Sequence, residues 1–331
     1  MQSIATGGLP DCLRLYTITQ TMEHKFTFTC AILDKPAPTI AKGIDNLRVV
    51  QSQGGLELSN PNEVLVRVRS TCLNYPDLLM LSDEYQHKPT FPFTPGLEWS
   101  GIVMRVGTDV TNVRPGDRVL GSGQGLSSHL RVEANSLTLA PSKLSFSEAA
   151  SFTVGFNTAY HCLVERAKIK RGEWVLINGA TGGMGMAAVL LCRHLGAHVV
   201  CTGGTNEKLK KISDFANIPW DCCLNYRELT NYAKQAKACT PNGRGVDIVF
   251  DPVGGAAGME ALRSTAWGAR VLVVGFTSGV RQQYPANYLL IKVFNYIDVQ
   301  MSRCYDFFVG LTLLTFFYLL FFSARLIGAR G

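Results

Sequence analysis

Apolar and polar positions follow one rhythm up to about Pro141 and another after it. Residues 63–69, Glu-Val-Leu-Val-Arg-Val-Arg, alternate in the manner of a half-buried strand. A first strand is expected over residues 26–33, and residues 34–55 are rich in turn formers. Pro76 after Asn74 suits a helix entry, since proline fits the first helical position. Pro92, Pro95 and Gly96 break the chain before a strand over 100–106. The turn Pro115-Gly116-Asp117 precedes another strand at 118–120, and residues 127–139 give two more. Short strands with frequent turn breakers predict a compact, mostly β unit.

Beyond Pro141 the segments lengthen. Residues 147–151 and 154–165 have helical periodicity. Strand-like runs then appear at 174–178, 198–202, 222–225, 248–251 and 270–275, separated by helical segments at 184–194, 207–215, 228–237 and 258–264. Such alternation predicts a parallel sheet with crossover helices, in which ligands lie at the carboxyl ends of the strands.

Both ends of the chain stand apart. Residues 1–25 are poorly patterned and lack the long apolar core of a secretory signal. They read as a plain extension, with a transit peptide as the weaker alternative. Phe307 to Ala324 has no charged residue and is crowded with Phe and Leu. As a helix it would be roughly 27 Å long, close to a bilayer core.

Composition narrows the function. Charged residues make up 17% and hydrophobic ones 47% of the 331 residues, enough to bury a sizeable core. The net charge of +7 suits an anionic ligand, but no dense Lys/Arg run suggests nucleic acid. The ten cysteines show no CxxC pair, and Cys222-Cys223 is the one close pair. They read as reduced, mostly buried thiols of an intracellular protein.

The candidate chemistry centres on Gly179-Ala180-Thr181-Gly182-Gly183-Met184-Gly185, between a strand and a helix. A helix start offers unpaired N–H groups and a partial positive charge, and glycines let the backbone approach phosphates. A glycine cluster by itself serves equally as a tight turn, so its setting decides. A site preferring NAD has an acidic residue about 20 residues further on, to accept from the adenosine ribose. Here the next strand ends in neutral Gly203-Gly204-Thr205, with Lys208 just beyond. A carboxylate would repel a 2′-phosphate, whereas Thr205 and Lys208 suit one, which favours NADPH. Lys208 also fits an ordinary solvated helix position.

Several segments occur in the order of a known family: Asn74-Tyr75-Pro76-Asp77, Tyr85-Gln86-His87-Lys88-Pro89, Pro92 to Glu98, Gly116-Asp117-Arg118-Val119, Gly179 to Gly185, Asp251-Pro252-Val253-Gly254-Gly255 and Val274-Gly275-Phe276. From about Glu63 to Lys292 the chain resembles the zinc-independent quinone oxidoreductases of the medium-chain dehydrogenase/reductase superfamily. The resemblance implies an α/β architecture with a GroES-like, mostly β substrate domain (26–150) and a Rossmann domain with a doubly wound parallel sheet (151–294). It further implies an active site in the cleft between them. Where the zinc branch carries its ligands, this chain has Asn74, Leu97 and Val154, none of them a zinc ligand. Metal-free hydride transfer from NADPH to quinones or α,β-unsaturated carbonyls follows. By resemblance Asn74 and Tyr85 orient the acceptor as catalytic donors, with Tyr85 as a candidate acid. Thr158, Gly275 and Phe276 lie by the nicotinamide, and Tyr226 by the adenosine phosphate. Asn74 as a turn cap, Tyr85 as a rim aromatic and the rest as plain packing stand as alternatives.

Family members continue past Pro285-Ala286-Asn287 with residues that finish the sheet, return to the β domain and form a homodimer edge. Residues 295–331 read as a divergent apolar tail, so this completion is expected to be missing and dimerisation doubtful. The tail has three readings: an altered translated end, a membrane anchor, or a buried replacement element. The alternative to an active enzyme is a catalytically impaired NADPH-binding member, truncated or membrane-tethered. A cytoplasmic location is expected, with membrane-anchored and mitochondrial placements as alternatives.

Overall fold

The computed structural model describes residues 27–53, 57–229, 231–285, 287–288 and 295–298. The N-terminal extension and the apolar stretch from Phe307 lie outside the described residues. Among the described residues, no helix is long and apolar enough to cross a membrane. The chain divides into two compact units between Ser151 and Phe152.

The first unit opens with β1 (Thr27–Ile32), α1 (Ile40–Asp45) and β2 (Arg48–Gln53). Sequence reading expected only turns where α1 and β2 lie. Thr39 caps α1 by accepting from Lys42 N at 3.2 Å, and β2 pairs antiparallel with β1. A five-stranded sheet follows, ordered β6-β3-β4-β5-β7 and antiparallel throughout. Its strands are β3 (Glu63–Cys72), β4 (Glu98–Val106), β5 (Arg118–Ser122), β6 (His129–Glu133) and β7 (Thr138–Leu139). α2 (Tyr75–Leu81) separates β3 from β4, and α3 (Phe146–Ala150) ends the unit. The core is Val64, Val66, Trp99, Val103, Val119 and Leu130, the inward positions of the strands. Trp99 lies against Gly121, where an added Cβ would come within 2.2 Å of the indole ring.

The second unit runs α4 (Thr153–Tyr160), β8 (Trp174–Ile177), α5 (Gly183–His194), β9 (His198–Gly203), α6 (Asn206–Ala216), β10 (Cys223–Asn225), α7 (Tyr232–Ala238), β11 (Val246–Asp251), α8 (Gly255–Arg263), β12 (Thr265–Val273) and β13 (Asn295–Asp298). The strands form one six-stranded sheet, ordered β10-β9-β8-β11-β12-β13, with every pairing parallel. Counted from β8 this is the 3-2-1-4-5-6 order of a dinucleotide-binding fold, with its switch point between β8 and β11. Buried on both faces, its strands read as continuous apolar runs rather than alternations. Val175, Leu176, Ile177, Ile248, Val249 and Phe250 are fully buried.

One further local reading differs from the structure. Helix α7 starts at Tyr232 rather than at residue 228. Asn225 holds the preceding turn: its Oδ1 accepts from Arg227 N at 3.1 Å and its Nδ2 donates to Glu228 Oε1 at 2.8 Å. The C-terminal completion expected to be missing falls mostly outside the described residues, which include one strand there. Residues Asn295–Asp298 pair in register with Arg270–Val273 and supply the sixth strand. Four residues within an otherwise apolar tail carry too weak a pattern to mark a strand; the exposed edge of β12 is what pairs them.

Candidate functional site

In the first unit the site residues gather where β3 leads into α2 and meets the start of β4. Asn74 is the N-cap of α2, in extended geometry. Its backbone N–H donates to Asp77 Oδ2 at 2.8 Å, while Asp77 Oδ1 accepts from Gly96 N at 2.8 Å and Leu97 N at 2.9 Å. Asp77 is only 1% exposed, so this carboxylate rivets the helix entry to the Pro95–Leu97 turn. Burial pushes its carboxyl pKa above the ordinary value, and the three N–H donors pull against that shift. The Asn74 side chain turns the other way, with Nδ2 donating to buried Glu98 Oε1 at 2.9 Å. Burial and the neighbouring Glu98 push the Cys72 thiol up to about 11. Tyr85 is half-buried in the segment after α2. The family resemblance named Asn74 as a candidate, and nothing in the sequence named Glu98 as the acceptor that its side chain meets. Asp77, three residues into a proline-started helix, was the available signal for the clamp.

In the second unit the glycine stretch joins β8 to α5. Gly179 has a φ of +60°, which favours glycine, and Gly185 sits so close to the turn that an added Cβ would lie 2.3 Å from Gly179 O. These two glycines are required by the loop itself. Gly183, at the first turn of α5, is different: a Cβ there would meet nothing within 4 Å. Its backbone faces open space at a twelve-residue helix start, as a phosphate cradle requires. Gly182 is the N-cap, and Thr181 and Met184 flank the turn. Ala180 is buried, its N–H donating to Thr202 O at 2.9 Å.

A buried network that residue-type reading missed holds this loop from beneath. Thr202 Oγ1 accepts from Gly179 N and donates to Asn178 Oδ1, both at 3.2 Å. Asn178 Nδ2 donates to Asp251 Oδ1 at 3.0 Å, and Tyr232 Oη donates to Asn178 Oδ1 at 3.0 Å. Asp251 also accepts from Val253 N, Gly254 N and Gln282 Nε2. Burial beside Asp251 raises the Tyr232 phenol far above its ordinary value, so it stays a donor. The loops after β8, β9 and β11 are thus one hydrogen-bonded unit.

Around it stand the remaining sequence-derived residues. Thr158 is buried in α4, whose Gly155 lies against the start of α5: its Cβ would be 3.4 Å from Ala187 Cβ and 3.6 Å from Gly183 O. Gly275 N donates to Asp251 O at 3.3 Å, and Phe276 follows it, partly exposed. At the tip of β9, a Cβ on Gly203 would strike Leu209 and Thr181. A Cβ on Gly204 would lie 2.7 Å from Tyr226 Oη and 3.3 Å from Arg227 Nε. Thr205 caps α6 by accepting from Lys208 N at 3.4 Å. Among the described residues, Lys210 and Lys211 are ion-paired with Asp214 and Glu207, and Lys208 is not. Arg227 is a further cation here, and its place in the turn after β10 gave no sequence signal. The nearby Glu228 carboxylate is engaged by Asn206 and Asn225.

Comparisons with known proteins match both units of the chain to one superfamily. The alcohol dehydrogenase GroES-like domain family matches residues 60–167, and the zinc-binding dehydrogenase family matches residues 183–314. Quinone oxidoreductase-like protein 2 of Bos taurus is 37% identical over 235 residues, covering 70% of this chain and 66% of its own. The chain therefore spans just under two thirds of that relative's length. The Mus musculus protein of the same name is 35% identical over 247 residues, covering 73% of this chain and 69% of its own. The structure of Escherichia coli quinone oxidoreductase complexed with NADPH superposes with a TM-score of 0.70 at 26% identity, over 83% of this chain and 81% of that one. CurK enoyl reductase superposes with a TM-score of 0.71 at 25% identity, over 84% and 82%. The chain belongs to the medium-chain dehydrogenase/reductase superfamily, among its quinone oxidoreductase-like members.

Proposed function

We propose that this chain is an NADPH-dependent, zinc-independent oxidoreductase that reduces quinones or α,β-unsaturated carbonyls. The observation that carries the cofactor reading is the setting of Gly204. Tyr226 and Arg227 lie over it, Lys208 stands one turn into α6, and the tip of β9 bears no carboxylate. That arrangement suits a 2′-phosphate, as the open backbone at Gly183 suits a pyrophosphate. Bound there, the nicotinamide supplies a hydride to the acceptor.

The residues do not fit the zinc that one family description names. Asn74 spends one amide N–H on Glu98 and offers no zinc-ligand atom of the usual kind, and Leu97 and Val154 have no ligand atoms in their side chains. No step is routed through a metal. An acceptor whose conjugation spreads the incoming charge needs only hydrogen-bond donors at its oxygen, and Asn74 and Tyr85 are assigned that role. The name of the enoyl reductase neighbour supports an enone as well as a quinone.

Incubating the purified chain with NADPH and a panel of quinones and enones, and following loss of the nicotinamide absorbance, tests this reading. Oxidation above background with at least one acceptor, faster with NADPH than NADH, is expected. NADPH binding by fluorescence with no oxidation of any acceptor overturns the enzyme reading and leaves a nucleotide-binding protein. Equal use of NADH overturns the cofactor assignment.

A further inference from the structure

Buried charges are ordinarily paired with an opposite charge. Asp251 is 0% exposed, yet among the described residues every hydrogen bond it accepts through its side chain comes from a neutral donor. Its Oδ1 accepts from Asn178 Nδ2 at 3.0 Å, Val253 N at 3.0 Å and Gly254 N at 3.1 Å. Its Oδ2 accepts from Gln282 Nε2 at 2.8 Å. Gln282 lies 31 residues further on, at the far end of the loop that leaves β12. The same Nε2 reaches Gly275 O, near the start of that loop, at 3.5 Å.

The loop folds back over the turn after β11. Gly275 N donates to Asp251 O at 3.3 Å, Thr277 N to Pro252 O at 3.1 Å and Ser278 N to Val253 O at 3.0 Å. Two glycines leave room for this approach. A Cβ on Gly254 would lie 2.6 Å from Val280 O and 3.3 Å from Gln282 Nε2. One on Gly258 would lie 2.7 Å from Asp251 Oδ2 and 3.0 Å from Gln282 Cγ. The direction of the Gln282 amide follows from its surroundings. Both atoms that Nε2 meets are acceptors, so a flipped amide would set oxygen against oxygen. Its Oε1 is buried and accepts nothing among the described residues. A buried acceptor without a donor is a cost, so the donor end is the part the fold uses.

We infer that Gln282 is a positioning residue, a latch that holds the loop after β12 to the Asp251 network beneath the glycine stretch. The inference rests on the reading proposed above, in which Gly275 and Phe276 lie beside the nicotinamide. Asp251 is the shared post. Through Asn178 it reaches the residue before Gly179, and through Gln282 it reaches the loop that carries Phe276. The latch acts on the nicotinamide half of the site. The open backbone at Gly183 and the cations near Gly204 are held by other contacts and keep their places.

Two substitutions in the full-length chain test this. Gln282→Leu keeps most of the side-chain bulk and removes the donor. Hydrogen exchange read by mass spectrometry should then show peptides covering 253–255 and 274–279 exchanging at least about tenfold faster, with β9 unchanged. NADPH affinity by fluorescence titration should stay within about twofold, while kcat with a quinone falls by about tenfold. Gln282→Glu sets a second carboxyl against Asp251. Ionised, that carboxyl repels Asp251 and opens the latch; protonated, it donates to Oδ2 and closes it. The neighbouring charge raises its pKa, so kcat relative to wild type should rise as pH falls from about 8 to about 6. Unchanged exchange in Gln282→Leu, or faster exchange spread equally into β9, overturns the latch. A Gln282→Glu rate that follows wild type at every pH overturns it too. Wild-type protein that oxidises no acceptor removes the reaction reading instead, and the exchange result then decides the latch alone.

Discussion

The side chain of Asn74 donates from Nδ2 to Oε1 of Glu98 at 2.9 Å. Glu98 is 1% exposed, on the first residue of β4, while Asn74 is the N-cap of α2. The bond fixes which way the amide faces and leaves its second N–H for another acceptor. Asp77 meanwhile fixes the backbone of the same residue.

Glu98 is therefore expected to act through Asn74. Glu98→Ala should lower kcat by about 10- to 100-fold, since misorienting a donor by about an ångström carries that cost. Glu98→Gln keeps an acceptor oxygen and should restore most of the rate. NADPH affinity, measured by fluorescence titration, should be unchanged in both. Wild-type turnover by Glu98→Ala would show that the amide orientation does not matter.

The glycines of the loop should separate into two kinds. Gly185→Ala forces a Cβ to 2.3 Å from Gly179 O, so the loop must distort and thermal melting should drop by several degrees. Gly183→Ala meets no neighbour within 4 Å. It should melt like the wild type yet bind NADPH at least about tenfold more weakly, the equivalent of ~1.4 kcal/mol. Calorimetry and fluorescence titration on the same preparations check both.

Cofactor choice should rest on Arg227 and Lys208. Removing one charge-assisted contact costs roughly 1.5–3 kcal/mol, or about tenfold or more in affinity. Arg227→Ala and Lys208→Ala should each weaken NADPH to that extent and leave NADH nearly unchanged. Equal losses for both cofactors would place the two cations away from the 2′-phosphate.

His129 should make stability fall in acid. It pairs across strands with Arg67, and burial, followed by that guanidinium, lowers its pKa from 6.5 to about 4. Between those values the unfolded chain binds a proton that the folded chain refuses. The stabilisation is present above pH 6.5 and is lost as pH falls towards 4. His129→Gln should lose less melting temperature than the wild type between pH 7.5 and 4.5, both roughly chosen to bracket this window. Parallel curves for the two proteins would contradict the assignment.

Tyr232 should matter to the glycine stretch through Asn178, the residue before Gly179. Its hydroxyl donates to Asn178 Oδ1 at 3.0 Å and lies 2.5 Å from Ala257 O. Tyr232→Phe should cost about 1–3 kcal/mol of stability, because buried acceptors lose their donor. Denaturant unfolding measures this; a change below about 0.5 kcal/mol would mean the network reorganises freely.

The sequence alone determined the division of labour along the chain. Period-two alternation at Val64, Val66 and Val68 marks a strand, although its start is buried on both faces, Leu65 included, and the alternation of apolar runs and helical segments after Pro141 marks a parallel sheet. Both are properties of neighbouring residues, so they can be read locally. The glycine stretch is local for the same reason: a strand, a turn and a helix start lie within a dozen or so residues. Partners distant in sequence could not be read that way. The Asn74–Glu98 bond depends on β3 and β4 lying side by side, and the network of Asn178, Thr202, Tyr232 and Asp251 depends on the order of strands in the sheet. The edge strand Asn295–Asp298 and the placing of Arg227 over Gly204 likewise had no sequence signal. A hydrogen bond's orientation is decided by what the fold carries to its other end, and only the tertiary structure supplies that.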